Sequence, residues 1–228
     1  MAQIRPMEWN GVPVPYGATI EELRERLKKA GPKAWAAFVA LGHTPGAESL
    51  RLLIEASCSV DWRCRRCAVE AISGHVPTLE SADVILNALQ DQNVYVVMTA
   101  CRAAALHRIS SAHPLLNKLI AHTEPSVREA AVTALAAIWQ PQDYEVVKQL
   151  HIFDCSPEVS RDSAYALMQN VTKATWRDLF NLWQGSSMGR YRLWAVQLAK
   201  QFGGQETDRL LAGFQNDKDG HVSKAAIS

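Results

Sequence analysis

The 228-residue chain has almost no net charge: 24 Lys and Arg stand against 23 Asp and Glu, which leaves +1 at neutral pH. No overall field draws it onto nucleic acid or an anionic membrane, so any charge-based recognition is local. Long apolar runs are missing as well. The longest, Ala34 to Leu41, falls far short of the roughly 20 residues that a membrane helix requires. Met1-Ala2-Gln3-Ile4-Arg5-Pro6 leads into no apolar segment, and a secretory leader is not expected. Cysteine is sparse, and its five copies are an odd number set inside helical patterns rather than at loop ends. A disulfide framework is therefore not expected, and a reducing cytoplasm is the expected location. There are only 12 glycines, and β-branched runs are few. No Gly-rich phosphate loop and no zinc-protease helix is present, and none of the seven histidines is followed by Glu.

What the chain does have is a sentence repeated. Glu124-Pro125-Ser126-Val127-Arg128-Glu129-Ala130-Ala131-Val132-Thr133-Ala134-Leu135 is its clearest copy, and Ser156 to Leu167 is the next. Asp61 to Ile72 and Met188 to Ala199 fit the same twelve-residue frame. A weaker copy starts at Asp91, and a short one starts at Asp219. The spacings are 30, 33, 32, 32 and 31 residues. A period this regular predicts an all-α fold, an α-solenoid of about six stacked helix pairs whose core is one continuous strip.

Within the frame the eighth and eleventh places are small (Ala68, Ala71, Ala131, Ala134, Ser163, Ala166, Ala195), so neighbouring helices can approach closely. The fourth place is mostly apolar (Cys64, Val94, Val127, Val159, Tyr191, Val222) and is expected to be buried. The fifth is Arg in Arg65, Arg128 and Arg192. Each Arg is expected to reach an acidic first-place residue of an adjacent unit (Asp61, Asp91, Glu124, Asp219), with Tyr95, Ser160 and Ser223 interrupting the series. Residues 1–18 are expected to form a Pro- and Gly-rich extended arm, with Trp9 or Tyr16 folding back over the end of the stack. The solenoid is then 19–228. Its capping helix, 19–31, opens on a Thr19-Ile20-Glu21-Glu22 capping box and closes at Gly31.

The frame resembles the HEAT-like repeat first catalogued in phycobilisome lyases: an acid, Pro, any residue, Val-Arg, two variable residues, Ala-Ala, one variable, Ala-Leu. The stretch 124–135 carries nearly all of it, and the resemblance covers roughly 33–228. It implies an α-superhelix in which the helix bearing Val-Arg lines the inner curve and offers its variable places to partners. HEAT-like hydroxylases bind iron through repeated His-Glu pairs, and the chain does not resemble them at that motif.

The places left over by the core are the second, third, sixth, seventh and tenth. They hold Trp62, Arg63, Arg66, Arg161, Tyr165, Arg190 and Trp194, residue types that dominate interface hot spots. These seven are the expected partner-binding residues. The competing structural reading has Trp62 and Trp194 packing into the stack and the arginines solvating it. The expected function is a non-catalytic scaffold or adaptor that binds a protein or peptide on the concave face. The alternative is a nucleic-acid-binding protein, related to DNA repair, which the near-zero charge disfavours. A bilin lyase or cofactor chaperone enters by resemblance alone. No cofactor and no metal is expected. Cys58, Cys64, Cys67 and His75 cluster in sequence, but Cys64 holds the apolar fourth place. Gly185-Ser186-Ser187-Met188-Gly189 matches a nucleophile elbow without the strand that such an elbow needs. Asp217-Lys218-Asp219-Gly220 hints at a calcium loop, but Gln215 at its first place and Ala226 at its twelfth fail where charge matters most.

Overall fold

The computed structural model describes residues 8, 9, 11–29 and 31–228. In chain order they form β1 (Glu8–Trp9), β2 (Val12–Pro13), α1 (Ile20–Leu27), α2 (Pro32–Gly42), α3 (Ala47–Ala56), α4 (Trp62–Ile72), α5 (Leu79–Ala88), α6 (Val94–Leu106) and α7 (His113–Leu119). These are followed by α8 (Pro125–Ala137), α9 (Asp143–Phe153), α10 (Pro157–Gln169), α11 (Trp176–Trp183), α12 (Gly189–Phe202), α13 (Thr207–Ala212) and α14 (Gly220–Ile227). The fold is an α-solenoid, and the helix pairs fall where the repeat frame predicts them. The chain divides into two compact units, residues 1–166 and 167–228.

In the first unit, α2, α4, α6 and α8 follow one another as a continuous layer of first helices. The second helices α1, α3 and α5 touch each other more sparsely. Small side chains explain the close layer: Ala68, Ala100 and Ala131 are fully buried at the eighth place. At Gly74 the approach is closer still, because an added Cβ would collide with the backbone carbonyl of Gly42. The Thr19 capping box is formed. Thr19 N–H donates to Glu22 Oε2 at 2.8 Å, and Glu22 N–H donates to Thr19 Oγ1 at 3.2 Å. Leu23 of this helix is completely buried.

The N-terminal segment is not simply extended. Glu8 pairs with Pro13 and Trp9 with Val12 in a two-residue antiparallel ladder, and Gly11 takes φ +74°. Both strands lie against α2, Val14 is buried, and the Tyr16 ring stands edge-on to His43 at 5.7 Å. The expectations for residues 1–7 and for the Trp9 ring lie outside what the structure describes.

The frame needs one correction. The second copy starts at Asn93, not Asp91. Asn93 Oδ1 accepts from Tyr95 N–H at 3.0 Å, just as Asp61 Oδ1 accepts from Arg63 N–H at 2.9 Å and Asp219 Oδ1 from His221 N–H at 3.0 Å. With Asn93 the spacings become 32, 31, 32, 32 and 31. The fourth and fifth places are then Val96 and Val97, both buried, and Tyr95 moves to the exposed third place. Sequence reading favoured Asp91 because an acid starts most copies. The backbone caps the helix with the residue that can fold its side chain over the second amide, and Asn does this as well as Asp.

The shift also relocates the acid of the Arg series, which sits two residues ahead of the N-cap. Arg128 donates from Nε and Nη2 to Asp154 Oδ2 and Oδ1, both at 2.7 Å, and from Nη1 to the carbonyls of His122 and Thr123. Asp154 Oδ1 also accepts from Ser156 N–H at 2.8 Å. Arg65 repeats this bracket with Asp91, Ser59 and Val60, and in the second unit Arg192 repeats it with Asp217, Ser186 and Ser187. Each is a bidentate fork whose third nitrogen ties down the loop before its own helix. The brackets take alternate copies. Val97 fills the place with apolar packing, and Ser160 donates to the carbonyl of His151 at 2.6 Å.

Acid titration should reveal these pairs. Hydrogen bonds from Arg65, Arg128 and Arg192 hold Asp91, Asp154 and Asp217 below the usual carboxylate range. Burial pushes the His151 imidazole down. In both cases the folded pKa lies below the unfolded one, so the contribution is complete above the unfolded value and is lost as pH falls through the folded value. Urea midpoints should therefore be flat near pH 7, decline below about 6.5 through His151, and fall steeply below about 4 as the aspartates protonate. His151→Gln should erase the first decline and leave the second.

Candidate interaction surface

The exposed side of the first-helix layer is built by the second, third, sixth and tenth places of the copies, and the seventh place is buried at Cys67 and Thr99. On α4, Trp62 is half-buried, Arg63 is exposed and Arg66 is half-buried. The Arg63 guanidinium lies over the Trp62 ring, 4.7 Å from its centroid, and Trp62 stacks on Tyr95 of α6 at 5.4 Å with 22° between the planes. Tyr95 itself is 55% exposed. Arg66 lies 3.4 Å from Glu70 one turn on, and Arg63 3.7 Å from Asp61. Met98 and Arg102 stand at the sixth and tenth places of α6, with Arg102 exposed.

On α10, Arg161 is exposed but engaged. Its Nε donates to Asp162 at 2.8 Å, and its Nη2 lies 3.6 Å from Glu129 of α8. Tyr165, one turn on, is 38% exposed. Burial, followed by the charge of Asp162, raises the Glu129 carboxyl above its ordinary value. The structure thus joins Trp62, Arg63 and Tyr95 into one cluster, sets Arg66 against Glu70, and places Arg161 and Tyr165 one turn apart on α10.

Arg190 and Trp194 lie in the second unit. Arg190 is exposed at the third place of α12. Trp194 is half-buried against Trp183 at 5.3 Å and Tyr191 at 5.6 Å, while Trp183 and Tyr191 stack at 5.9 Å. Trp194 therefore belongs in part to the packing of this unit. The sequence reading passed over Tyr95 and Arg102 because the two-residue slip placed them off the surface. The signal that would have found them is the small pair Ala100 and Ala103, which fits the eighth and eleventh places only when the copy starts at Asn93.

The motifs set aside in the sequence have structural occupations. Ser187 lies in the turn before α12 and gives its carbonyl to Arg192. The Asp217 carboxylate is filled by Arg192, and Asp219 caps α14. Cys67 is buried, which pushes its thiol up to about 11, and buried Cys101 goes to about 12, both far from a reactive thiolate. Among the described residues no three His, Cys, Asp or Glu side chains are grouped to hold a metal ion. No helix among them is long and apolar enough to cross a membrane. Three histidines prove to be periodic: His43, His75 and His107 stand 32 residues apart at the ends of α2, α4 and α6. His75 and His107 each bond through Nε2 to a carbonyl of the preceding copy, Leu41 at 2.9 Å and Ser73 at 3.0 Å. A cavity of about 740 Å³ opens between the loops that carry His43 and His75.

Residues 82–168 match the family of HEAT repeats. No curated protein matches the chain. Among solved structures, the complex of CpcE and CpcF of phycocyanin lyase from Nostoc sp. PCC7120 is similar at TM-score 0.60 and 17% identity, over 99% of this chain and 97% of that one. A chain in a homology model of the AP-3 complex is similar at TM-score 0.65 and 17% identity, over 91% of this chain and 43% of that one. An engineered protein is similar at TM-score 0.59 and 18% identity, over 91% of this chain and 66% of that one. At these identities the likeness concerns the fold. The repeat frame, the stacked helix pairs and the family matched at residues 82–168 agree on a HEAT-like repeat fold.

Proposed function

We propose that the chain is a non-catalytic interaction module that receives a protein or peptide partner on its first-helix layer. The observation that carries this is the Trp62–Tyr95 stack with Arg63 above it. It is a rigid aromatic and guanidinium platform, over half open at Tyr95. Such groups give large contact area at little cost in side-chain entropy and dominate interface energetics. Of the residues singled out for other chemistry, Asp217 is engaged by Arg192, Asp219 caps α14 and Cys67 is buried.

The test is affinity capture from the native lysate with wild type, Trp62→Ala and Tyr95→Ala, read by mass spectrometry and followed by a binding constant for the captured species. Each variant is expected to weaken capture by about 2 kcal/mol, roughly thirtyfold, with helix content by circular dichroism unchanged. Undiminished capture by both would place the binding face elsewhere. Trp194→Ala is a poorer probe, because its ring also packs on Trp183 and Tyr191.

A nucleic-acid partner is the second reading, favoured by Arg63, Arg66 and Arg102 beside two stacked rings on which a base could lie. Glu129, Glu158 and Asp162 on the same layer oppose it. Its signature is an affinity that falls steeply with salt, and a flat salt response removes it.

A further inference from the structure

We propose that the first-helix face of residues 61–166 docks a short extended peptide that is acidic at one end and basic at the other. This deepens the interaction-module reading and rests on it. The corrected register sets Arg66, Met98, Glu129 and Arg161 in one row at the sixth place. Glu70, Arg102, Thr133 and Tyr165 form a second row at the tenth. Two contacts across helices establish the alignment: the Trp62–Tyr95 stack at 5.4 Å and the Arg161–Glu129 pair at 3.6 Å.

Charge along these rows separates by position. On this face α4 and α6 present Arg63, Arg66 and Arg102 against Glu70 and the N-cap Asp61 that pairs with Arg63. In contrast, α8 and α10 present Glu129, Glu158 and Asp162 against the single base Arg161. Arg161 is shared between Asp162 and Glu129, so it cannot neutralise the acidic half. The rise in the Glu129 carboxyl pKa has the same origin in part, because Asp162 and Glu158 crowd it. Each half therefore keeps an uncompensated charge of its own sign. An occupant that reverses the order is attracted at both ends, whereas a uniformly charged one is repelled at one. Aromatic rings mark both ends, Trp62 with Tyr95 on the basic half and Tyr165 on the acidic half, which suits apolar residues beside the charges. Adjacent helices lie about 9 Å apart, so three steps span roughly 27 Å. At about 3.3 Å per residue this accommodates an extended segment of roughly eight residues.

The test uses the whole chain and two synthetic nonapeptides of identical composition, measured by isothermal titration calorimetry at about 50 mM salt. One peptide carries two aspartates at one end, a leucine-containing centre and two lysines at the other end. Its isomer alternates the same charges. The block peptide is expected to bind at least tenfold more tightly than the alternating one. Glu129→Lys with Asp162→Lys makes the face uniformly basic. This variant should lose the block peptide tenfold and prefer a peptide with aspartates at both ends, and Glu129→Gln with Asp162→Asn should show the same loss more weakly. Equal binding of block and alternating peptides would overturn the proposal. If partner capture still depends on Trp62 and Tyr95 while charge order has no effect, the interaction-module reading stands and this assignment of its partner falls. A salt-sensitive dimer by sedimentation, dispersed by Glu129→Lys, would overturn it in favour of a second copy of the chain.

Discussion

Replacing Arg128 by methionine is expected to cost about 3–5 kcal/mol of unfolding free energy, the range for removing one partner of a buried ion pair. The side chains of Arg128 and Asp154 are only 10% and 4% exposed. Methionine fills most of the volume but leaves the Asp154 carboxylate without its fork, and the carbonyls of His122 and Thr123 lose a donor. The double variant Arg128→Met with Asp154→Leu should recover a large part of the loss, because it removes the stranded charge together with its partner. Chemical denaturation of the single and double variants measures both effects. A single variant within 1 kcal/mol of wild type would mean that the bracket is solvated and contributes little. Nature offers the internal control: at the corresponding place Val97 is buried, in a copy that carries no arginine there.

The second large effect is expected at Trp183. Its side chain is 1% exposed, stacked on Tyr191 and tilted against Trp194. Trp183→Ala should destabilise the second unit by about 3–5 kcal/mol, the usual range for deleting a buried tryptophan. Thermal melts by circular dichroism, with the ring-current-shifted Tyr191 resonances as a local probe, would show this. A loss below 1 kcal/mol would mean that Tyr191 and Trp194 close over the vacancy. Trp183→Phe should retain more than half of the stability, since a ring still meets Tyr191.

Much of the architecture was legible in the primary sequence for one reason. A solenoid is stabilised by the same few contacts made over and over, so the residues that make them recur at a fixed interval. The small eighth place, the apolar fourth place and the capping residue before α4, α6 and α14 each answer to a local requirement of helix packing or helix initiation. They remain visible even when single copies drift. The one slip came at Asp91, where Asp91 and Asn93, two positions apart, could both start a helix and only the packing of Val96, Val97 and Ala100 chooses between them. That choice moved Tyr95 from a break in a polar series to the exposed partner of Trp62.

The candidate surface was legible only in part, and the reason is again physical. Periodicity tells which side of a helix faces away from its neighbours, so Trp62, Arg63, Arg66, Arg161 and Tyr165 could be placed on one layer. It does not tell which of them are already engaged. Arg161 is held by Asp162 and Glu129, and Trp194 leans on Trp183, because side chains on successive helices meet at distances that no spacing along the chain encodes. The sequence by itself determined the repeat, the helix pairs and the residues that let the helices approach, since these depend on nearest neighbours along the chain. Only the tertiary structure decided the acid of each Arg bracket, the Trp62–Tyr95 stack and the separation of charge across four helices. Those depend on which residues the stacking brings side by side, 25 or more positions apart in the sequence.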